Sequence, residues 1–232
     1  MSKRSHVLGF RLGFIQLWNY TLNNYNKNLK VYIKSIVKKR YIQHCIQYIS
    51  KSPGIFINVS KLCQYYNLLK LNFNYTPLKV LKQKKVLFPF LKVIKVLNKT
   101  FGVPVKLKIF KKKNNFNNAY FLSEYIKFRY KINKSSLKII LNKLEKDFTK
   151  IINRNILYIT NKGIKKGKIV GIKICCKGRL GSLRNPLTQT FIKCSGKISF
   201  LTLTNYVDYD QNFLFTKQGT YSLHVWIFYS NV

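Results

Sequence analysis

Acidic residues are nearly absent from this chain. Among its 232 residues there are only 5 Asp and Glu against 44 Lys and Arg, which gives a formal net charge of +39. A monomer with this charge repels itself, and a phosphate-rich nucleic acid would relieve that repulsion and release condensed counterions. An anionic membrane surface would instead favour lysines concentrated on one amphipathic helix. Because lysine recurs from Lys3 to Lys217, the pattern favours RNA or DNA as the partner.

Long hydrophobic runs are also missing. The longest apolar stretch, residues 86–97, is interrupted by Lys92 and Lys95, so we predict no membrane span. The N-terminus has neither the apolar core of a secretory signal nor the Arg- and Ser-rich character of a transit peptide. Hydrophobic residues nevertheless make up 47% of the chain, which predicts a folded rather than a disordered protein.

Alanine is reduced to a single residue, Ala119, and arginine to 7 residues, against 37 Lys, 25 Ile and 23 Asn. Lys, Ile and Asn have codons rich in A and T, whereas Ala and most Arg codons need G and C. An organelle genome and an AT-rich nuclear or bacterial genome both explain this usage, and composition leaves the two open.

Side chains that carry out catalysis are scarce and scattered. The five cysteines show no C-x-x-C spacing and are not grouped with the three histidines, so we predict buried reduced thiols and no metal site. Asp208 and Asp210 would share one side of a strand, but no third catalytic group accompanies them, and we expect them to pair with neighbouring lysines. No phosphate-binding or hydrolase motif occurs. We therefore expect a protein that is not an enzyme and that uses no cofactor.

The hydrophobic pattern predicts an α+β protein of two small domains, residues 1–115 and 116–232. Helices are expected at residues 29–49, 86–99, 120–130 and 135–152. Strands are expected at residues 55–59, 105–110, 169–176, 198–209 and 222–228. In the second domain the helices should pack on a small mixed sheet. Trp18 and Trp226 could stack on nucleic-acid bases, but we expect Trp226 in the core because it alternates with apolar neighbours.

Three ordered blocks in the C-terminal third carry a family resemblance. They are GIKICCKGRLGS at 171–182, GKISFLTLTNYVDYD at 196–210 and TKQGTYSLHVWIF at 216–228. The opening HVLGFRLG at 6–13, followed by Trp18-Asn19, and the turn Gly102-Val103-Pro104 agree with them. In these blocks the chain resembles the small-subunit ribosomal protein S-three family, in an organelle form.

The resemblance implies that the N-terminal half is a KH domain of the second type, whose GXXG loop clamps a nucleic-acid backbone. That loop should fall at residues 84–87, where the sequence is KKVL and contains no glycine. We therefore expect a degraded KH-like domain in which nearby lysines replace the clamp as point charges. Residues 61–80 have no clear counterpart in the family and are interpreted as a possible insertion.

The resemblance further implies a structural constituent of the small-subunit head that binds ribosomal RNA, contacts neighbouring head proteins and helps to line the messenger RNA entry path. The expected setting is the mitochondrial matrix, in an organelle-encoded ribosomal protein, with a plastid as the alternative. A free organellar RNA-binding or RNA-processing factor is the competing function. The candidate RNA-binding residues are Arg4, Arg11, Lys79, Lys82, Lys84, Lys85, Lys138, Lys143, Lys146, Lys150, Arg179 and Arg184; for the lysines, a merely solvated basic surface is the competing interpretation.

Overall fold

The computed structural model describes residues 6–18, 29–50, 55–65, 68–77, 83–102, 104–111, 117–133, 137–179, 187–216 and 219–231. These residues form four helices and eight strands, which confirms the α+β class. The chain divides into two compact units. One comprises residues 20–115, and the other combines residues 1–19 with residues 116–232.

The unit of residues 20–115 contains two helices and a three-stranded sheet. Its elements are α1 (Leu29–Ser50), β1 (Ile55–Tyr65), β2 (Leu68–Pro77), α2 (Gln83–Phe101) and β3 (Val105–Lys111). Strand β2 lies in the centre, antiparallel to β1 and parallel to β3. The parallel pair requires a long crossover, and α2 supplies it. The buried core joins both helices to the sheet through Ile42, Leu69, Leu71, Phe73, Val93, Leu97 and Val105.

One expectation about this unit stays a prediction and another needs correction. Within the possible insertion of residues 61–80, residues 61–65 end β1 and residues 68–77 form the central strand β2, whose alternate residues Leu69, Leu71 and Phe73 face the core. Residues 84–87, expected to form a loop in place of the clamp, are helical and belong to the start of α2.

The turn after α2 agrees with the sequence. Gly102 takes a positive φ of 61°, a left-handed conformation that suits glycine, and its amide donates to the Asn98 carbonyl at 3.0 Å. The Asn98 side-chain oxygen then accepts from the amide of Val105 at 3.0 Å, the first residue of β3. The helix therefore ends at the predicted position.

The second unit contains α3 (Ala119–Asn133), α4 (Leu137–Thr149), β4 (Asn155–Thr160), β5 (Gly163–Gly178), β6 (Gln189–Gly196), β7 (Tyr206–Thr216) and β8 (Gly219–Asn231). The sheet order is β4-β5-β8-β7, and β6 pairs with β5 beyond the end of β4. Every pairing is antiparallel, so the predicted mixed sheet is wrong. The short connections β4–β5 and β7–β8 are hairpins, which can join only antiparallel neighbours.

Strand β7 is attached to helix α3 by a row of polar side chains. The Asp208 carboxylate accepts from the backbone amide of Ala119 at 2.8 Å, and Asp210 accepts from the hydroxyl of Ser123. A carboxylate at a helix N-terminus satisfies an otherwise unpaired amide and complements the helix dipole. Both aspartates therefore belong to the interface between β7 and α3. For Asp210 the expected pairing with a lysine is wrong, because its partner is Ser123.

The N-terminal segment belongs to this second unit, which differs from the predicted domain of residues 1–115. Arg11 is 0% exposed, and its guanidinium donates to the carbonyls of Phe200 at 2.9 Å, Thr202 at 2.8 Å and Asn205 at 3.1 Å. Within the segment it also donates to the Val7 carbonyl at 2.9 Å. One buried cation thus links the start of the chain to residues nearly 200 positions later.

Candidate nucleic-acid interface

Several predicted RNA-binding residues have no described side chain. Arg4, Lys79, Lys82 and Arg184 lie outside the described residues, and Lys84 and Lys85 are described only as backbone at the start of α2. The structure therefore places Arg11, Arg179 and the four lysines of residues 138–150.

Arg11 does not belong to a nucleic-acid surface. Four of its five N–H groups are used by backbone carbonyls, and burial lowers the pKa of its guanidinium. A buried guanidinium that is already bound to carbonyls cannot reach an RNA phosphate. We therefore remove Arg11 from the candidate set and assign it a structural role.

Helix α4 presents the predicted basic surface. Its buried side is lined by Leu137, Ile140, Leu141, Leu144 and Phe148, which repeat at helical spacing. Lys138, Lys143, Lys146 and Lys150 are all exposed on the opposite side, Lys150 in the turn just after the helix. We call Lys143, Lys146 and Lys150 the α4 lysine stripe.

The two acidic residues of α4, Glu145 and Asp147, reduce the positive charge of this stripe to different extents. Glu145 accepts a hydrogen bond from Lys193 of β6 at 2.6 Å, so its charge is already paired on the sheet side of the helix. Asp147 lies in a shallow groove between α3 and α4 together with Lys143 and Arg129. Arg129 and the exposed Arg154 extend the basic surface, and the sequence pattern did not identify either of them.

Arg179 is exposed at the end of β5 and remains a candidate. Its backbone carbonyl accepts from the hydroxyl of Tyr221 at 2.6 Å. A β-carbon on Gly178 would collide with the ring of Tyr221, so only glycine fits beside that ring. The turn is therefore held by backbone contacts that leave the Arg179 side chain at the surface.

The unit of residues 20–115 has a lysine-rich sheet face that was not predicted from the sequence. Lys106 and Lys108 of β3 are exposed and alternate with Val105 and the half-buried Leu107, and exposed Lys70 is the register partner of Lys106 on β2. The alternation of apolar and lysine residues along β3 was the available signal. These three lysines lie on the side of the sheet opposite the core.

The sheet of the second unit also has a face on which none of the described helices packs. On β8, Leu223, Val225 and Ile227 are buried, whereas His224 and Trp226 are only half-buried on the other side. The prediction that Trp226 packs in the core is therefore wrong. Apolar residues occupy both faces of β8, so alternation alone could not tell which face would be covered.

Aromatic rings line this face, and two of its neighbours cover part of it. His6 packs edge-on against Tyr209 with 4.9 Å between centroids, and Phe200 packs against Trp226 at 6.2 Å and against the buried Phe228 at 5.1 Å. The rings of His224 and Trp226 are nearly parallel, with 5.8 Å between centroids and 17° between planes. Tyr209 of β7 lies 5.4 Å from Trp226 and shares a 2.8 Å hydrogen bond with Nδ1 of His224. We call Tyr209, His224 and Trp226 the aromatic face.

Lysines border the aromatic face. Lys173 of β5 is the register partner of Trp226, and its Nζ lies 5.8 Å from that ring and 5.0 Å from the ring of Phe200. Lys177, exposed four residues further along the same face, is the register partner of Ser222. The chain's five carboxylates lie elsewhere, with Asp208 and Asp210 towards α3 and Glu124, Glu145 and Asp147 on the helices.

Comparison with known proteins decides the family. The chain is 25% identical over 232 residues to the small ribosomal subunit protein uS3m of Chondrus crispus, covering 99% of this chain and 95% of that protein. It is 26% identical over 243 residues to the small ribosomal subunit protein uS3c of Euglena longa, covering 98% and 99% of the two chains. The chain belongs to the uS3 family, in an organelle form. No family model matches it.

Membership in the uS3 family confirms the resemblance that the blocks at both ends of the sequence indicated. The buried Arg11 lies within one of those blocks, HVLGFRLG. Among the described residues, no three His, Cys, Asp or Glu side chains converge. None of the described helices combines the length and apolar character needed to cross a membrane.

Proposed function

We propose that this uS3-family chain is a structural constituent of the small-subunit head of an organelle ribosome, where it binds ribosomal RNA. Its relatives are small ribosomal subunit proteins, and its +39 net charge calls for a polyanionic partner. The proposed setting is the mitochondrion, with a plastid as the alternative, and the other proposed partners are neighbouring head proteins. The work is architectural and electrostatic, without catalysis.

The observation that carries a role at the messenger RNA entry path is the α4 lysine stripe. Its three lysines are exposed on one side of a helix whose other side is buried in the fold. Because Glu145 is paired with Lys193, the stripe presents net positive charge to the surroundings. Such a stripe can hold the phosphates of a single strand without reading its bases.

We infer that the unit of residues 20–115 is a KH-like domain that has lost its GXXG clamp. The exposed Lys70, Lys106 and Lys108 offer a contact of another kind, since lysines spread over a sheet face attract phosphates without regard to sequence. A free RNA-processing factor would use the same charges, but it would not migrate in fixed stoichiometry with small subunits.

The chain offers a matched test of the α4 lysine stripe. Replacing Lys143, Lys146 and Lys150 with Gln keeps helix propensity nearly unchanged and removes three charges. The control replaces the exposed Lys92, Lys95 and Lys99 of α2, which have the same three- and four-residue spacing. We expect the α4 variant to assemble into small subunits normally but to translate messengers with stable structure near the entry site more slowly.

The α2 control should not slow structured messengers selectively. Gradient sedimentation measures assembly, and timed translation of structured and unstructured messengers measures the entry path. Scarce small subunits in the α4 variant would indicate contact with ribosomal RNA instead. Normal assembly with equal rates on both messengers would contradict the entry-path role, and absence of the chain from small subunits would contradict the ribosomal function itself.

A further inference from the structure

We propose that the aromatic face of the second unit is a base-stacking site for unpaired nucleotides of RNA. The inference rests on the proposed function and adds to it a second kind of contact, on the side of the sheet away from the helices. The α4 lysine stripe can bind phosphates only, whereas rings presented on a sheet can contact the bases themselves.

The first argument is the arrangement of the rings. His224 and Trp226 point from the same side of β8, and Tyr209 lies beside them on β7. The hydrogen bond between the Tyr209 hydroxyl and Nδ1 of His224 fixes two of the three rings relative to each other. A rigid, half-buried aromatic surface loses little side-chain entropy when a flat ligand stacks on it.

The second argument concerns the charge on the rings. Burial lowers the pKa of His224, and the positive charge of Lys177 and then of His6 lowers it further. The imidazole is consequently neutral at physiological pH. Because a neutral ring offers its faces rather than a charge, we expect it to contribute stacking surface while the neighbouring lysines contribute the phosphate contacts.

The third argument is the composition of the border. Lys173 is next to Trp226 and Phe200, and Lys177 follows four residues later on the same face, about 13 Å further along β5 at the usual rise of a strand. Aromatic rings interleaved with lysines and free of carboxylates complement a nucleic acid, whose bases are flat and whose backbone is anionic. A second copy of this chain would instead bring another net charge of +39 to the same place.

The two tryptophans of the chain permit a direct test, because Trp226 is on the aromatic face and Trp18 is 60% exposed on the N-terminal segment. In Trp18→Phe, Trp226 is the single reporter; in Trp226→Phe, Trp18 is. Each variant of the full chain is titrated with a single-stranded oligouridine and with an abasic oligomer carrying the same number of phosphates. We expect oligouridine to quench Trp226 and the abasic oligomer to leave it nearly unchanged, with little effect of either on Trp18.

A second pair of variants measures the effect on affinity. Trp226→Leu should weaken binding of oligouridine roughly ten-fold or more, within the range observed for removal of one stacking ring. Trp18→Leu removes the same ring elsewhere and should bind like the parent chain. Should Trp226→Leu fold poorly, Lys173→Gln replaces a border lysine without touching the rings, and it should weaken both oligomers alike.

Equal quenching of Trp226 by the two oligomers, or unchanged affinity of Trp226→Leu, would overturn the base-stacking site. Protection of Trp226 fluorescence from quenching that grows with protein concentration and needs no RNA would assign the face to a second copy. Protection that appears only in assembled small subunits would assign it to a protein neighbour, and both results would overturn the proposal. Failure of the parent chain to bind ribosomal RNA at all would instead contradict the proposed function.

Discussion

The two sides of the sheet in the second unit differ in how they could contact RNA. On one side, helices cover the sheet and expose the α4 lysine stripe, whose interaction with phosphates depends on charge and therefore on salt. The other side, which we call open because no described helix packs there, presents the aromatic face, against which His6 and Phe200 pack in part. Its proposed interaction with bases depends on ring contact. The comparison teaches that a strongly basic protein need not bind by charge alone.

The largest expected effect tests the electrostatic side of this comparison. If the chain neutralises about six to ten phosphates, its affinity for ribosomal RNA should fall roughly a thousand-fold or more between 50 and 200 mM salt. Trp226→Leu should lower the affinity without changing this salt dependence, because it removes no charge. The measurement is a series of binding isotherms at increasing salt. A nearly flat dependence in the parent chain would contradict the electrostatic account.

The next effect concerns Arg11, which supports the open side because it binds the carbonyl of Phe200. Arg11→Leu would remove the donor from the part-buried hydrogen bonds to the carbonyls of Phe200, Thr202 and Asn205, and we expect it to lower the free energy of unfolding by about 3 kcal/mol. The control is Arg154→Leu, because Arg154 is exposed. Urea unfolding measures both variants.

Unchanged stability of Arg11→Leu together with weaker RNA binding would mean that Arg11 reaches RNA after all. If the role of Arg11 is structural, Arg11→Leu lowers the stability of the fold, and any loss of RNA binding follows from that lower stability. Trp226 fluorescence would report whether the open side is disturbed along with the loop that Arg11 binds.

A smaller effect is expected on the helix side, at Asp210. The pKa of its carboxyl is raised to about 6, and burial is the largest cause. The hydrogen bond from Ser123 works against this rise, and the negative charges of Asp208 and Glu124 add to it. Because the folded-state pKa lies above the ordinary value of 3.8, its contribution to stability is complete below pH 3.8 and is lost as the pH rises through 6. At neutral pH the buried carboxylate is therefore a cost.

Asp210→Asn should remove that cost while keeping an oxygen that accepts from Ser123. We expect the variant to be about 2 kcal/mol more stable than the parent at pH 7 and nearly equal to it at pH 4. The pKa of His224 is lowered, so His224 decreases the stability of the folded chain as the pH falls below 6.5. It is present in both proteins, and its effect cancels in their difference. A stability difference that does not change with pH would contradict the assignment.

The sequence predicted the helices better than the strands. Strand β7 begins at Tyr206, whereas the pattern ISFLTLT suggested a strand from residue 198. The carbonyls of Phe200 and Thr202 bind Arg11 instead of a neighbouring strand, so the alternating residues there do not join the sheet. Strands β2, β4 and β6 were missed. In β4 and β6 several of the alternating residues remain exposed, so the apolar signal is weak.

By itself the sequence determined the large excess of positive charge, the family and the exposed lysines of α4. Each of these depends on composition, on ordered blocks or on a local helical period, none of which needs knowledge of distant residues. The inward Arg11 and the outward Trp226 were decided only by the tertiary structure. Arg11 is buried by residues 200–205, and β8 is apolar on both faces, so which face is covered depends on where the helices pack.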